Sequence, residues 1–216
     1  MKKVVGIITR GSLDINGYFY QRVKDDFRTI IAELDLIAIG IMPTAVNNYT
    51  FAETGSYKVS DLHSVLDLCD GFIIQGGDKI YSYEMQTIGY AHHLDKPILG
   101  ICMGMQAMGI FLGGTLNTIA TPNLHQSSNS FAHIINIDKT SQFYSFINKS
   151  EINVNSRHNE AITGLKEKYI SAKFGDIVEA IEDDNKRFFT GVQWHPEDLK
   201  DENTLKLFKR FKESID

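Results

Sequence analysis

The sequence predicts an α/β fold in which a central, mostly parallel sheet is flanked by helices. Short apolar runs without polar alternation recur through the first half of the chain, and helix-length segments separate them. This combination is typical of parallel strands that are covered on both faces. From about residue 133 onward the pattern changes to short alternating runs, which predict a smaller antiparallel or mixed sheet in the second half.

Four apolar runs predict the parallel strands of the first half. They are VVGIIT (4–9), LIAIGIMP (36–43), GFIIQGGD (71–78) and PILGIC (97–102). Apolar residues at helical spacing predict the helices, at residues 19–34, 59–70, 82–94 and from 103 to the stop at Gly113–Gly114. In a flavodoxin-like sheet of this kind, sites lie at the carboxyl ends of the strands. We therefore expect the site among the loops TRGS, QGGD and CMG and the residues after Pro43.

The second half contains five short runs that alternate, followed by one amphipathic segment. The runs predict strands over 133–138, 151–156, 169–174, 176–183 and 187–194, and the last segment predicts a helix over 203–214. The sequence has no internal repeat and no linker rich in Pro, Gly or Ser. We therefore expect one domain over residues 1–216.

Composition excludes several classes of protein. Hydrophobic residues make up 43% of the 216 residues, and the formal net charge is -5 with no basic block, so we expect no nucleic-acid partner. No apolar run is long enough to span a bilayer, and the N-terminus lacks a signal-peptide pattern, so we expect a cytoplasmic protein without a membrane partner. With only two cysteines, a reactive thiol is a better hypothesis than a disulfide framework.

The stretch GICMG places Cys102 at a glycine-flanked corner between a strand and a helix. A nucleophile on such a strained turn needs small neighbours, and Gly100 and Gly104 meet that need. The helix that begins near Met103 offers unpaired N–H groups and a positive dipole end, which favour a thiolate and a developing oxyanion. The alternative is that Cys102 is a small buried core residue.

The stretch HPE offers a base for that thiol. In an extended segment His195 and Glu197 point the same way, so the carboxylate can orient the imidazole. Pro196 favours a loop over an interior strand. A histidine near a strand end is more often structural when it is taken alone; the order Cys, His, Glu together with the glycine-flanked thiol is far more specific.

The glycine pair in QGGD supplies a second candidate for the oxyanion site. Gly76 and Gly77 let backbone N–H groups face an open site at the end of the third strand. The same glycines would also suit a tight turn with no catalytic role. A phosphate-binding P-loop is unsupported, because no glycine pair is followed by Lys and Ser or Thr.

Taken together, the motifs GICMGMQ, IIQGGD, LGGTL, VNSRHNEAI and GVQWHPE resemble the class I glutamine amidotransferase superfamily in order and spacing. The nearest branch resembles the γ-glutamyl hydrolases. The resemblance covers nearly the whole chain. It implies a cysteine hydrolase that cleaves a γ-glutamyl amide through a glutamyl thioester, without a cofactor.

The resemblance also implies a role for each matching position. Cys102 would attack the γ-carbonyl, His195 would activate the thiol and protonate the leaving nitrogen, and Glu197 would orient the imidazole. The backbone N–H groups of two residues would form the oxyanion hole, namely Met103 and Gly77. The glutamyl group would be bound by the remaining matching positions, Gly76, Gln106, Asn159 and Glu160.

Two positions depart from the branch. Arg157 and Glu160 replace an apolar residue and a glutamine that often occur there. Arg157, Arg10 and Lys79 could each contact an anionic leaving group, because guanidinium and ammonium groups bind phosphate and carboxylate; a solvated surface role is the alternative. Small stand-alone members of this group include hydrolases of γ-glutamyl-CDP-amidate in capsule phosphoramidate synthesis, which this chain resembles in size and in NSRHNEAI.

No set of residues has metal-ligand spacing in the sequence, so the sequence predicts no metal. Two other hypotheses stay open. One is a glutaminase subunit that delivers ammonia to a separate synthase partner, and the other is a non-catalytic ligand-binding descendant. The complete set of thiol, imidazole and carboxylate argues against the last.

Overall fold

The computed structural model describes residues 1–43, 59–120, 125, 127 and 130–215. Its largest element is a nine-stranded sheet with the order β4-β1-β5-β6-β13-β12-β11-β8-β9. These strands are β1 Val4–Ile8, β4 Ile37–Ile41, β5 Gly71–Ile74, β6 Ile98–Ile101, β8 His133–Ile137, β9 Glu151–Val154, β11 Ile170–Phe174, β12 Ile177–Glu182 and β13 Phe189–Val192.

The sheet is parallel on one side and antiparallel on the other. Strands β4, β1, β5, β6 and β13 are parallel neighbours, and β13, β12, β11, β8 and β9 are antiparallel neighbours. The predicted α/β class, with a large central sheet flanked by helices and small antiparallel sheets, is confirmed. Most strands of the second half extend the central sheet. The smaller sheets each have two strands, β7 Thr115–Thr118 with β10 Glu160–Thr163 and β2 Arg10–Leu13 with β3 Phe19–Arg22.

The prediction of a helix over residues 19–34 is wrong in its first part. Residues 19–22 form β3, which pairs with β2 in an antiparallel hairpin where the sequence predicted a loop. The Asp14 carboxylate fixes the turn by accepting hydrogen bonds from the N–H groups of Asn16 and Tyr18. Gly17 has φ +82, a conformation that suits glycine. The predicted loop after Pro43 lies outside the described residues.

Helices cover both faces of the sheet. They are α1 Asp25–Glu33, α2 Val59–Leu66, α3 Ser82–His93, α4 Met103–Phe111, α5 Gln142–Ile147 and α6 Glu202–Ile215. Apolar residues of α1, α5 and α6 pack in one core cluster, and those of α2, α3 and α4 pack in a second. Within the described ranges, no helix is both long and apolar enough to cross a bilayer. The carboxyl ends of β5, β6 and β13 lie side by side, and they carry the candidate site.

Candidate active site

Cys102 lies in the turn between β6 and α4 with φ 53 and ψ -109. This conformation is strained for a residue with a side chain, and such strain costs about 1–3 kcal/mol. The turn is fixed because the Cys102 N–H donates to the Val192 carbonyl at 2.8 Å. A Cβ on Gly104 would lie 2.1 Å from the Ile74 carbonyl oxygen. The predicted need for glycine beside the thiol is therefore a need for close approach between α4 and β5.

His195 faces the thiol and is held from behind by Glu197. Its Nδ1 donates to Glu197 Oε1 at 2.8 Å, and the Cys102 side chain is close enough to raise its pKa. Because the carboxylate occupies Nδ1, Nε2 is the ring nitrogen that can exchange a proton with the thiol. Asn155 fixes the histidine backbone by accepting from its N–H and donating to its carbonyl, both at 2.8 Å. The structure thus brings the three predicted groups together.

Burial and hydrogen bonding oppose each other in the pKa of His195. Burial lowers this pKa, but the interactions with Cys102 and Glu197 outweigh burial and raise the pKa to about 9. Burial likewise raises the pKa of Glu197, yet the hydrogen bond from His195 and the charge of Lys24 hold it below its ordinary value. Lys24 Nζ lies 3.2 Å from Glu197 Oε1. The arrangement therefore favours a protonated His195 imidazole beside an ionised Glu197 carboxylate.

We expect kcat/KM to fall as the pH rises through about 9, because His195 must hold a proton to protonate the leaving nitrogen. Glu197→Gln removes one of the interactions that raise this pKa, so the alkaline limb should move to lower pH. The measurement is a pH profile of kcat/KM for both forms. The same raised pKa stabilises the folded chain below about pH 6.5, and that contribution disappears as the pH rises through about 9. An alkaline limb that Glu197→Gln leaves in place would contradict this assignment.

The glycine loop after β5 lies against the thiol and the imidazole. A Cβ on Gly76 would lie 2.8 Å from His195 Cε1 and 3.3 Å from Cys102 Cβ. Gly77 lies over Arg10, whose Nε donates to the Gln75 carbonyl at 3.0 Å. Met103 is the first residue of α4. The loop and the helix start therefore flank Cys102, as the sequence predicts.

Arg10 and Lys79, two of the predicted anion contacts, are engaged by other groups of the protein. Arg10 is buried, forms an ion pair with Glu84 at 2.8 Å, and donates to the Lys79 carbonyl at 2.6 Å. The Lys79 ammonium lies 5.1 Å from the centre of the Tyr81 ring. Arg10 therefore holds the glycine loop in place by donating to the carbonyls on either side of it, those of Gln75 and Lys79.

Gln106, Asn159 and Glu160 make hydrogen bonds around the start of β10. Gln106 is buried, and its Nε2 donates to the Glu160 carbonyl at 2.8 Å and to Gln193 at 3.1 Å. The Asn159 carbonyl accepts from the Ile119 N–H at 2.8 Å. These contacts fix the start of β10 against α4.

A pocket of about 530 Å³ opens beside Cys102. The described residues that line it include His195, Glu197 and the glycine loop, but not Gln106, Asn159 or Glu160. Four basic side chains line its wall, namely Arg10, Arg22, Lys24 and Arg157, against two carboxylates, those of Asp78 and Glu197. The pocket is large enough for a group much bigger than ammonia.

The basic side chains differ in how far they are engaged. Arg157 pairs with Asp198, which also pairs with Lys24. Arg22 is exposed and makes no ion pair with the described part of the chain. Of the predicted anion contacts, Arg10 and Arg157 therefore lie at the pocket. The Arg10 guanidinium is paired with Glu84, and Arg22 is a further basic side chain there.

Several residues of the site were missed from the sequence. Arg22 and Lys24 reach the site through the β2–β3 hairpin and the residues after it, where the sequence predicted a helix. Gln193 lies with its Nε2 3.8 Å from the Cys102 sulfur, and Asn155 fixes the His195 backbone. Gln193 lies inside the motif GVQWHPE and Asn155 inside VNSRH. Their places in these motifs could have identified them as residues of the site.

The fold and this site define the chain as an enzyme that hydrolyses amide bonds. The Peptidase C26 family model matches residues 81–197, more than half of the chain, and the chain belongs to that family. A subunit of the glutamine-hydrolysing GMP synthase of Picrophilus torridus is 33% identical over 68% of this chain and 77% of its own length. A glutamine amidotransferase-like protein of Rickettsia prowazekii is 29% identical over 71% of this chain and 79% of its own.

A solved structure supports the fold. It is that of a candidate GMP synthase subunit from Thermoplasma acidophilum, with a TM-score of 0.71 and 17% identity. The match covers 100% of this chain and 94% of that one. The family model and the GMP synthase subunit of Picrophilus torridus together show that the family is that of the glutamine amidotransferase-like amide hydrolases.

Proposed function

We propose that this chain is a cytoplasmic, single-domain cysteine hydrolase that cleaves the γ-glutamyl amide bond of a γ-glutamyl conjugate, acting alone. The observation that carries the proposal is the pocket of about 530 Å³ that opens on Cys102 and His195. An enzyme that releases only ammonia has no need for such a volume beside the leaving nitrogen. A hydrolase of larger conjugates needs it for the leaving group.

The chemistry follows from the positions of the three groups. The Cys102 thiolate attacks the γ-carbonyl carbon, and the N–H groups of Gly77 and Met103 donate to the oxygen that becomes negative. The His195 imidazolium protonates the leaving nitrogen, and the C–N bond breaks to leave a glutamyl thioester. Water, deprotonated by His195, then attacks the thioester and releases glutamate and the thiolate. Glu197 keeps Nε2 directed at the thiol.

The glutamyl group fits the other side of the thiol. We infer that Gly76, Gln106 and the backbone of Asn159 and Glu160 form its binding wall. The support for this inference is that Gln106, on α4, donates a hydrogen bond to the Glu160 carbonyl at the start of β10. The leaving group then extends into the basic pocket.

The charge of that pocket favours an anionic leaving group. Arg22 and Arg157 lie at its wall with guanidinium groups, which suit phosphate oxygens. Our candidate substrate is γ-glutamyl-CDP-amidate, whose hydrolysis gives glutamate and cytidine diphosphoramidate for capsule synthesis. This choice rests on the resemblance in NSRHNEAI together with the basic wall.

The proposal is tested by glutamate release from the purified chain alone. Substrates are glutamine, γ-glutamyl-aminobutyrate, γ-glutamyl peptides and γ-glutamyl-CDP-amidate, with Cys102→Ala as the blank. We expect fast release from one conjugate and little from glutamine. Slow turnover of glutamine and none of any conjugate would instead favour a glutaminase subunit with a synthase partner, a role that the similarity to the GMP synthase subunit of Picrophilus torridus supports.

Substitution of the pocket arginines should separate anionic from neutral substrates. Arg22→Gln and Arg157→Leu are each expected to raise KM for γ-glutamyl-CDP-amidate about tenfold or more, because a charge-assisted hydrogen bond contributes about 1.5–3 kcal/mol. KM for glutamine should stay within about twofold. Arg28→Gln, an exposed position on α1 that pairs with Asp25, is the matched control. Equal effects on both substrates would remove the proposed contact.

A further inference from the structure

A cluster of four buried side chains lies outside the catalytic groups. Three histidines surround the carboxylate of Glu179 on β12, namely His125, His133 and His158. Glu179 is fully buried, and each histidine is at most 9% exposed. They come from four separate segments of the chain, which explains why no ligand spacing is visible in the sequence.

Three of the four side chains, those of His125, His133 and Glu179, offer ligand atoms that all lie within 4.8 Å of one another. Glu179 Oε1 lies 3.0 Å from His133 Nε2, 3.5 Å from His125 Nδ1 and 3.7 Å from His158 Nε2. His125 Nδ1 and His158 Nε2 are 3.2 Å apart. Zinc–ligand bonds of about 2.0–2.1 Å in tetrahedral geometry place neighbouring ligand atoms about 3.3 Å apart. The distances from Glu179 Oε1 to His133 Nε2 and to His125 Nδ1 lie close to that value.

The way in which the histidines surround the Glu179 carboxylate indicates a bound cation. Donors that only hydrogen bonded to Glu179 would be shared between its two oxygens. Instead the three imidazole nitrogens face Oε1, while Oε2 has no hydrogen-bond partner among the described residues. Buried carboxylates are paired or bind metals, and imidazole with carboxylate is a ligand set that zinc accepts.

We propose that His125, His133 and Glu179 bind one divalent transition-metal ion of the zinc class. These three ligands leave one position of a tetrahedral ion for a further group, and His158 lies beside them with its Nε2 3.2 Å from His125 Nδ1. His158 supports the site from outside, because its Nδ1 donates to the Glu160 carbonyl at 2.9 Å and so directs Nε2 toward His125. The Phe174 ring stacks on His133 with centroids 4.2 Å apart and adds an apolar wall.

The role of the ion is to tie together segments that do not pair in the sheet. His133 begins β8, while Glu179 lies on β12, and β11 separates these strands. His158 precedes β10, and its ring is hydrogen bonded to the first residue of that strand. The ion would therefore hold the start of β10 in place.

The test is the metal content of the full chain, which does not depend on any activity. Protein expressed with added Zn²⁺ and freed of weakly bound metal should contain about one zinc per chain by mass spectrometry. A second group that could hold metal is His195, Glu197 and Asp198, next to the Cys102 thiol; Cys102→Ala changes that neighbourhood and should keep the ion. A zinc-free wild type, or zinc that is lost in Cys102→Ala, overturns the proposal.

Ligand variants locate the ion. His133→Asn and Glu179→Gln should lose the zinc and lower Tm by about 10 °C or more, while the control His93→Asn, at an exposed position, keeps both. Retention of zinc by both ligand variants overturns the proposal. If the ligand variants fail to fold, wild type expressed with Co²⁺ decides: tetrahedral cobalt absorption without a thiolate charge-transfer band supports the site, and its absence or a thiolate band overturns it.

Discussion

Cys102→Ala is expected to abolish glutamate release, by about 10⁴-fold or more, while the chain stays folded. No other described thiol can take its place, because the second cysteine, Cys69, is buried in the core against α2 and burial raises its pKa to about 11. The loss should fall on kcat, since the γ-glutamyl thioester can no longer form. Alanine keeps a Cβ, so the strained turn is no more strained than before.

The measurement is single-turnover and steady-state glutamate release together with thermal unfolding. Cys69→Ala is the matched control: it removes the same sulfur from a packed position and should reduce stability by about 1–2 kcal/mol while keeping the activity. Wild type incubated with a conjugate should accumulate a covalent glutamyl adduct by mass spectrometry, and Cys102→Ala should not. Turnover that survives in Cys102→Ala would end the proposed mechanism.

The sequence predicts those parts of the site that lie within one short stretch of chain. Gly100, Cys102 and Gly104 belong to one turn, and His195 and Glu197 to one loop, so local spacing predicts their chemistry. That these two stretches meet depends on β6 pairing with β13, where Ile101 lies beside Val192. Local spacing alone does not contain this contact, and the family resemblance supplied it.

The parts that sequence reasoning missed are those in which tertiary pairing overrides local pattern. Residues 19–22 have apolar spacing that suits a helix, yet pairing with β2 makes them a strand and brings Arg22 to the pocket. Arg10 is a basic residue at a strand end, which suggested a substrate contact. Its ion pair with Glu84 shows that an acidic residue on α3 faces inward, and a sequence does not reveal such a partner.

The ion pair between Arg10 and Glu84, which supports the glycine loop, also depends on protonation. Burial raises the pKa of Glu84 to about 7, against the opposing effect of the Arg10 charge. The ion pair therefore depends on the pH near neutrality, and it lies under the loop that carries Gly77. The geometry of that loop is thus linked to the protonation of Glu84, a residue outside the motif QGGD.

Gly104→Ala is expected to have the second largest effect, on both stability and activity. Its new Cβ would lie 2.1 Å from the Ile74 carbonyl oxygen and 2.8 Å from the Ile74 carbonyl carbon. Backbone atoms cannot rotate away as a side chain would, so α4 must move from β5. We expect the free energy of unfolding to fall by about 3 kcal/mol or more, and kcat/KM to fall about 100-fold in any folded fraction, because Cys102 moves with the helix.

Gly89→Ala provides the matched control, since it adds the same methyl group to a glycine inside another helix, α3. There the nearest atom is Phe111 Cε2 at 3.7 Å, an ordinary contact. Helix propensity should then raise the free energy of unfolding by about 0.5–1 kcal/mol and leave kcat/KM unchanged. Urea unfolding and steady-state kinetics on the two variants measure both effects. If Gly104→Ala matches Gly89→Ala in stability and rate, close approach of α4 to β5 is not what requires glycine beside the thiol.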